Sequence, residues 1–175
     1  MASSSVAPDG IDDEHSRPRR WQRHANPAAL ILLALWLGAG LAGFFGGHAN
    51  PVYVDETDGA RVVLDFPETL RNGELFEMRA AVTAKQALQN PTLALSVDYW
   101  HELTINSFVP APLKESVVDG EFRFTWEALA PGDTLHVKID GQVNPQFFHQ
   151  NRARVAVMDG ERSISSHDTT LRIWP

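Results

Sequence analysis

The sequence of 175 residues contains no cysteine and two tyrosines. With no thiol there is no disulfide staple, no thiolate nucleophile and no Cys-ligated zinc or iron–sulfur cluster, so any metal chemistry falls to imidazole and carboxylate. Glycine and proline, at 12 and 11 residues, lack the excess that marks fibrous and low-complexity chains. A hydrophobic share of 43% against 21% charged residues is too apolar for a chain disordered throughout. Also missing are a Gly-rich phosphate loop, an HExxH helix, a nucleophile elbow and an EF-hand pattern. There is no Asn-x-Ser/Thr sequon, because Asn90 is followed by Pro91. The length suits one domain and a remainder.

Charge itself is absent from Pro27 to Gly47, which reads PAALILLALWLGAGLAGFFGG. At about 1.5 Å per residue, a helix of this length crosses a hydrocarbon core of about 30 Å. The run predicts a transmembrane signal-anchor helix over 27–47. A cleavable signal has an apolar region of about 7 to 15 residues. This one is longer, and Asp9, Asp12, Asp13 and Glu14 precede it. Gly47-His48-Ala49 nevertheless has the small-x-small form of a cleavage site, so the alternative is a secreted module released after Ala49 that binds a small molecule or glycan. Arg19-Arg20 fits a twin-arginine signal poorly, since Trp21-Gln22-Arg23 follows.

The basic flank sets the orientation. Arg17, Arg19, Arg20 and Arg23 lie before the run, whereas the first basic residue after it, Arg61, comes beyond Asp55, Glu56 and Asp58. The N-terminus is expected in the cytoplasm and the C-terminal domain outside the cell (inner or plasma) membrane. Residues 1–26, polar and without apolar periodicity, read as a disordered cytoplasmic tail, and 48–59 as a juxtamembrane linker. The net charge is −7, and from His48 onward 18 acidic and 11 basic residues carry all of it, a poor composition for nucleic-acid binding. Ala39, Gly43 and Gly47 recur every four residues, a small-xxx-small stripe that would let a second helix approach and is the expected route to homo-oligomers.

After the run the period changes to two. Phe76-x-Met78-x-Ala80-x-Val82, Leu93-x-Leu95-x-Val97-x-Tyr99, Phe122-x-Phe124-x-Trp126, Leu135-x-Val137-x-Ile139, Val155-x-Val157 and Leu171-x-Ile173 each place alternate residues on one face. Val62–Leu64 and Leu103–Ile105 add two further strands. Turn signals fall between them: Asp58-Gly59, Asn72-Gly73, Asp119-Gly120, Pro131-Gly132-Asp133, Asp140-Gly141 and Asp159-Gly160. The expected fold is all-β, an immunoglobulin-like sandwich of seven to eight strands over 60–175, preceded by the single transmembrane helix. Its core is expected from Phe76, Leu95, Val97, Phe122, Phe124, Trp126, Leu135, Val137, Ile139, Val155 and Val157, with Trp126 as the central aromatic.

Leu70-Arg71-Asn72-Gly73-Glu74-Leu75-Phe76, the stretch Leu113 to Val118 after Pro-Ala-Pro, and Leu129-Ala130-Pro131-Gly132-Asp133-Thr134-Leu135 resemble the immunoglobulin-like repeat domains of bacterial surface proteins, the CARDB-like group. The resemblance covers about residues 60–175 and implies a spacer or binding platform. The chain departs from that group in having a single copy and a longer segment from Asn144 to Arg154.

Candidate chemistry is sparse. Asp98, His101 and Glu102 flank Trp100 but do not converge in an extended chain. Ser166-His167-Asp168 has the residue types of a nucleophilic triad, yet neighbours on a strand point to opposite faces. His48, His101, His136, His149 and His167 show no ligand spacing, and Asp55, Glu56 and Asp58 lack the loop a calcium site needs. No catalytic, cofactor or metal residue is therefore expected. Two segments suit recognition: the Pro-stiffened run holding Phe108, Pro110 and Pro112, and the turn holding Asn144, Phe147 and Phe148. At one end of the sandwich they would either form a partner-binding patch or fold over the core to close it. The sequence thus describes a membrane-anchored, non-enzymatic accessory subunit or surface scaffold, binding another membrane or cell-surface protein without a cofactor.

Overall fold

The computed structural model describes residues 22–45, 49–101, 103–144 and 149–174. They form two separate units, a helical segment ending at Phe44 and a β domain from Phe45 onward. The helix, α1, runs from Gln22 to Leu41 with Pro27 inside it. Its end is chemically explicit. Gly43 takes a left-handed φ of 76°, its N–H donates to Gly40 O at 3.0 Å, and the Phe44 N–H donates to Ala39 O at 3.0 Å. These are the paired bonds of a Schellman cap, which satisfy the last carbonyls and stop the helix. The helix expected over 27–47 is therefore not found as such. It starts earlier, in polar residues, and stops at Leu41; among the described residues no helix is long and apolar enough to cross a membrane. Gly43, expected on a packing stripe, caps the helix; Ala39 lies within α1, and Gly47 lies outside the described residues.

The β domain is a two-sheet sandwich with eleven strands among the described residues, more than the seven or eight expected. One sheet has the order β1 (Val52–Glu56), β2 (Ala60–Asp65), β4 (Leu75–Ala84), β9 (Thr134–Val143) and β6 (Leu103–Val109). The other has the order β3 (Thr69–Arg71), β11 (Arg162–Trp174), β10 (His149–Asp159), β5 (Pro91–Ser96), β8 (Glu121–Thr125) and β7 (Lys114–Val118). The surplus consists of the edge strands β1, β3 and β7, whose short or mixed sequences carry no clean alternation. β1 falls inside the stretch read as a linker and pairs Val54 with Val63.

Strands that alternate in sequence bury alternate residues. Along β4, Phe76, Met78, Ala80, Val82 and Ala84 face inward, opposite Val137 and Ile139 on β9. Trp126 is buried as expected. Two signals mislead. Asp140-Gly141 reads as a turn but lies within β9, where Gly141 is paired with Phe76. A Cβ on Gly141 would sit 2.4 Å from Phe76 Cζ, so the glycine is there to make room for a ring, not to turn the chain. The alternation through Val97 and Tyr99 breaks after Ser96, where Val97–Trp100 form one helical turn, α2, closed by His101 N–H donating to Val97 O at 2.9 Å. Tyr99 is fully buried there, its hydroxyl donating to Pro67 O at 2.9 Å. The Asp119-Gly120 signal is confirmed as the β7–β8 hairpin, both residues having positive φ (52° and 77°), as a two-residue type I′ turn requires.

Gly141→Ala is expected to lower unfolding stability by about 1–3 kcal/mol, the usual cost of overpacking. In a Phe76→Leu background the same substitution should cost less, since the clashing ring is gone. Urea titration of the four proteins checks this, and equal costs in both backgrounds would remove the ring-accommodation account.

Candidate functional site

The two sheets end side by side at β6 and β7, and between these edges the sandwich opens into a cleft of about 580 Å³. Four rings lie at its base. Trp100 stands with its centroid 5.5 Å from Phe124 and 6.4 Å from Phe122, and Phe108 lies 4.7 Å from Phe124. The pattern follows from register: Glu115 pairs with Phe124 and Val117 with Phe122, so both β7 residues face the inside of the sandwich. They are exposed all the same, because no strand covers them. Val117 at the cleft's rim is 60% exposed, while in the floor Trp100 and Phe124 are buried and Phe108 and Phe122 half-buried. The loop joining the edges is held at its base. Trp126 Nε1 donates to Pro110 O at 3.0 Å, and the Leu113 N–H donates to Thr125 O at 2.8 Å.

Of the residues singled out in the sequence, Phe108 and Pro112 line this cleft. Pro110 instead lines a second depression of about 460 Å³ on the outer face of the first sheet, with Val52, Val63 and Val109. Asn144 does not join them. Its Oδ1 accepts from Thr104 Oγ1 at 2.6 Å, at the start of β6, where Leu103 pairs with Val143. Phe108 and Pro110 lie at the other end of that strand, so the expected single patch from both loops is not formed with Asn144. Phe147 and Phe148 lie outside the described residues. Trp100, Phe122 and Glu115 were missed as site residues: the two rings read as loop and core, and Glu115 was not singled out. The i, i+2 pairing of Phe122 with Phe124 was the one available signal for the floor.

The opposite lateral edge, between β1 and β11, is sealed by polar groups. Asp55 Oδ2 accepts from Ser165 Oγ and lies 2.8 Å from His167 Nε2. Beside it, Glu68 Oε1 accepts from both Tyr53 OH and Thr169 Oγ1, and the Tyr53 ring lies 4.5 Å from His167 and stacks on Phe66 at 5.1 Å. A serine, a histidine and an aspartate therefore do meet, but serine and histidine both bind the one carboxylate. In a triad the base must hold the nucleophile's hydroxyl, and here that hydroxyl is held by the acid. Ser166 and Asp168 point outward from β11, and Arg154 Nε donates to Ser166 Oγ at 2.9 Å.

The other clusters also come apart. Asp98 and His101 are exposed on and after α2, and Glu102 is outside the described residues. Glu56 is drawn from Asp55 to Lys85 Nζ at 2.7 Å and Arg61 Nε at 2.9 Å. Among the described residues no three His, Asp or Glu side chains form a group able to hold a metal ion.

No protein-family model and no curated protein matches the chain. Among solved structures, native alpha-2-macroglobulin of Escherichia coli is matched at a TM-score of 0.34 and 15% identity, over 71% of this chain and 7% of that one. A crystal structure of the same protein from domain MG7 to the C-terminus gives 0.34 and 16%, over 74% and 17%. A GH20 exo-β-N-acetylglucosaminidase from Vibrio harveyi gives 0.25 and 11%, over 70% and 16%. The chain spans a small part of each, and similarity at this level transfers neither a family nor an activity.

The β1–β11 seam makes stability depend on acid. The bond from Ser165, and then the bond and charge of His167, hold the Asp55 carboxyl below its ordinary value. A depressed carboxylate adds stability above the ordinary carboxylate range, and that stability is lost as pH falls through its folded value. Asp55→Asn should therefore be less stable than the parent near neutral pH, with the gap narrowing as pH falls toward 2. Urea midpoints along that range check it; a gap that stays constant would show that the ionised carboxylate is not what stabilises the seam.

Proposed function

We propose that the chain is a membrane-tethered, non-catalytic recognition module whose β domain binds another membrane or cell-surface protein through the β6/β7 cleft. The observation that carries the reading is a cleft between two sheet edges in which Phe108 and Phe122 are only half-buried and Val117 stands exposed. In a chain with no disulfide, rings of this size are normally the most fully covered part of a sandwich. Large exposed apolar surface of this kind marks interaction sites. The non-catalytic part rests on the Asp55 carboxylate, one oxygen of which takes the hydrogen bonds of both the Ser165 hydroxyl and the His167 imidazole.

The tether rests on sequence and side-chain chemistry. Leu30, Ile31, Leu32, Leu33, Leu35, Trp36 and Leu37 are all exposed, and at about 100° per residue they cover every side of α1. A helix apolar all round needs lipid or protein around it, and the uncharged run extends past the helix end to Gly47. The apolar part of α1, from Pro27 to Leu41, spans about 22 Å at 1.5 Å per residue. The remaining uncharged residues and local bilayer thinning would make up the rest. Four arginines before the run and an acidic domain after it favour a cytoplasmic N-terminus. The immunoglobulin-like, CARDB-like affinity of the sandwich is part of the same proposal, supported by the Pro131-Gly132-Asp133 turn. Gly132 there has φ 95°, and Asp133 Oδ2 accepts from the Ala130 N–H at 2.9 Å as the chain enters β9.

Full-length protein in its native membrane, carrying a photo-crosslinking residue at Val117 or at Val54, tests the reading. Val117 should give one discrete protein adduct and Val54, at the far edge of the other sheet, none. The protein should also resist carbonate extraction, with an intact mass that begins at the N-terminal segment. Adducts of equal yield from both positions would remove the cleft as the interface. A mature chain beginning at Asn50 would assign the released-module alternative.

A further inference from the structure

A sandwich exposes four lateral strand edges, and each carries unpaired backbone groups that can template another strand. Three of the four are blunted here. β1 places Asp55 and Glu56 along its length, β3 has three residues and pairs in parallel, and β6 breaks register between Ile105 and Ser107. β7 also carries charge, Lys114 and Glu115, but it has no bulge and no proline, and it borders the open cleft through Glu115, Ser116 and Val117. Its one unusual feature is Glu115, whose register with Phe124 puts a carboxylate on the inner, apolar face. Glu115 makes no ion pair among the described residues.

An inward charge on an edge strand is a device against indiscriminate pairing. It penalises any incoming strand that sets an apolar or acidic residue opposite. The same carboxylate stabilises a strand that sets a lysine or arginine there, so it discriminates by charge complementarity as well as by exclusion. We propose that the cleft receives an extended segment of the partner polypeptide. The segment pairs with the free edge of β7, lays alternate apolar side chains beside the exposed Val117 and toward the half-buried Phe108 and Phe122, and presents a basic residue to Glu115. The mode is strand addition, in which main-chain bonds supply affinity and alternate side-chain pockets supply specificity. The shape agrees. A cleft open along its length between two strands suits a polypeptide that continues past both ends, whereas a small ligand would remain largely in water.

This inference rests on the recognition reading above, and its test separates the two. Full-length protein in detergent is titrated with a labelled peptide of about nine residues, enough to overrun β7 at about 3.3 Å per residue. The peptide alternates valine and threonine, with lysine at the central inward position. The lysine peptide should bind at least about tenfold more tightly than its glutamate twin, and Glu115→Lys should reverse the order. Two further twins carry N-methyl groups on alternate residues, one set for each edge of the peptide. One twin should lose binding and the other keep it, because only one edge of an added strand meets β7. Binding unaffected by either methylation, or absent for the lysine peptide, overturns strand addition while a Val117 adduct in membranes still upholds the recognition reading. Loss of that adduct removes both.

Discussion

Two stacked sheets keep their inner faces dry only if something closes the gap of about 10 Å between them at each lateral edge. On the β1/β11 side the closure is made of hydrogen bonds. Asp55 and Glu68 each accept from two partners, and the Tyr53 ring fills the space between them against Phe66 and His167. On the β6/β7 side there is no such seam. The loop from Pro110 to Leu113 ties the edges together at one end, and the rest of the gap is lined by rings. One flank is thus closed by hydrogen bonds and the other opens into a cleft with half-buried rings in its floor, and the reading of function follows from that asymmetry.

The same seam gives a structural role to a set of residues with catalytic names. A carboxylate holding a hydroxyl and an imidazole at once fixes both, and it stabilises each more than either would be in water. Catalysis would need the hydroxyl to face the imidazole and a space for substrate beside them. Ser165 is instead buried, and the Tyr53 ring lies against the imidazole. The partners lie on the first strand of one sheet and the last strand of the other, so the seam also ties the two ends of the domain together.

Much of the sandwich was legible because half-buried strands advertise themselves by alternation. β2, β4, β8, β9, β10 and β11 fall where the pattern placed them, and the Asp119-Gly120 hairpin follows from the φ values its residues tolerate. The failures have specific causes. Gly141 carried a turn signal because glycine serves both turns and close approaches, and only the partner strand reveals which. Val97–Trp100 continued the alternation in sequence, but burial of Tyr99 under Phe66 is achieved from a helical turn as readily as from a strand. β1 was hidden because its outward valines and inward Tyr53 and Asp55 invert the usual alternation at an edge. Phe108 and Pro112 were recoverable from local stiffness and apolarity, whereas Asp55 and Ser165 are 110 residues apart and no local pattern joins them.

The two flanks also divide the work of charge. At the sealed flank, carboxylates are neutralised by donors and contribute stability, whereas at the open flank Glu115 faces an apolar cleft without a counter-ion. Such an arrangement is unfavourable when the cleft is filled by apolar groups alone, since the carboxylate would lose water and gain nothing. It becomes favourable when the entering group brings its own positive charge, and the more fully the cleft is then closed, the stronger that pairing becomes. An aromatic floor alone would accept any greasy segment. With Glu115 at its edge, the same floor rewards an apolar segment only if a basic residue comes with it in the right register.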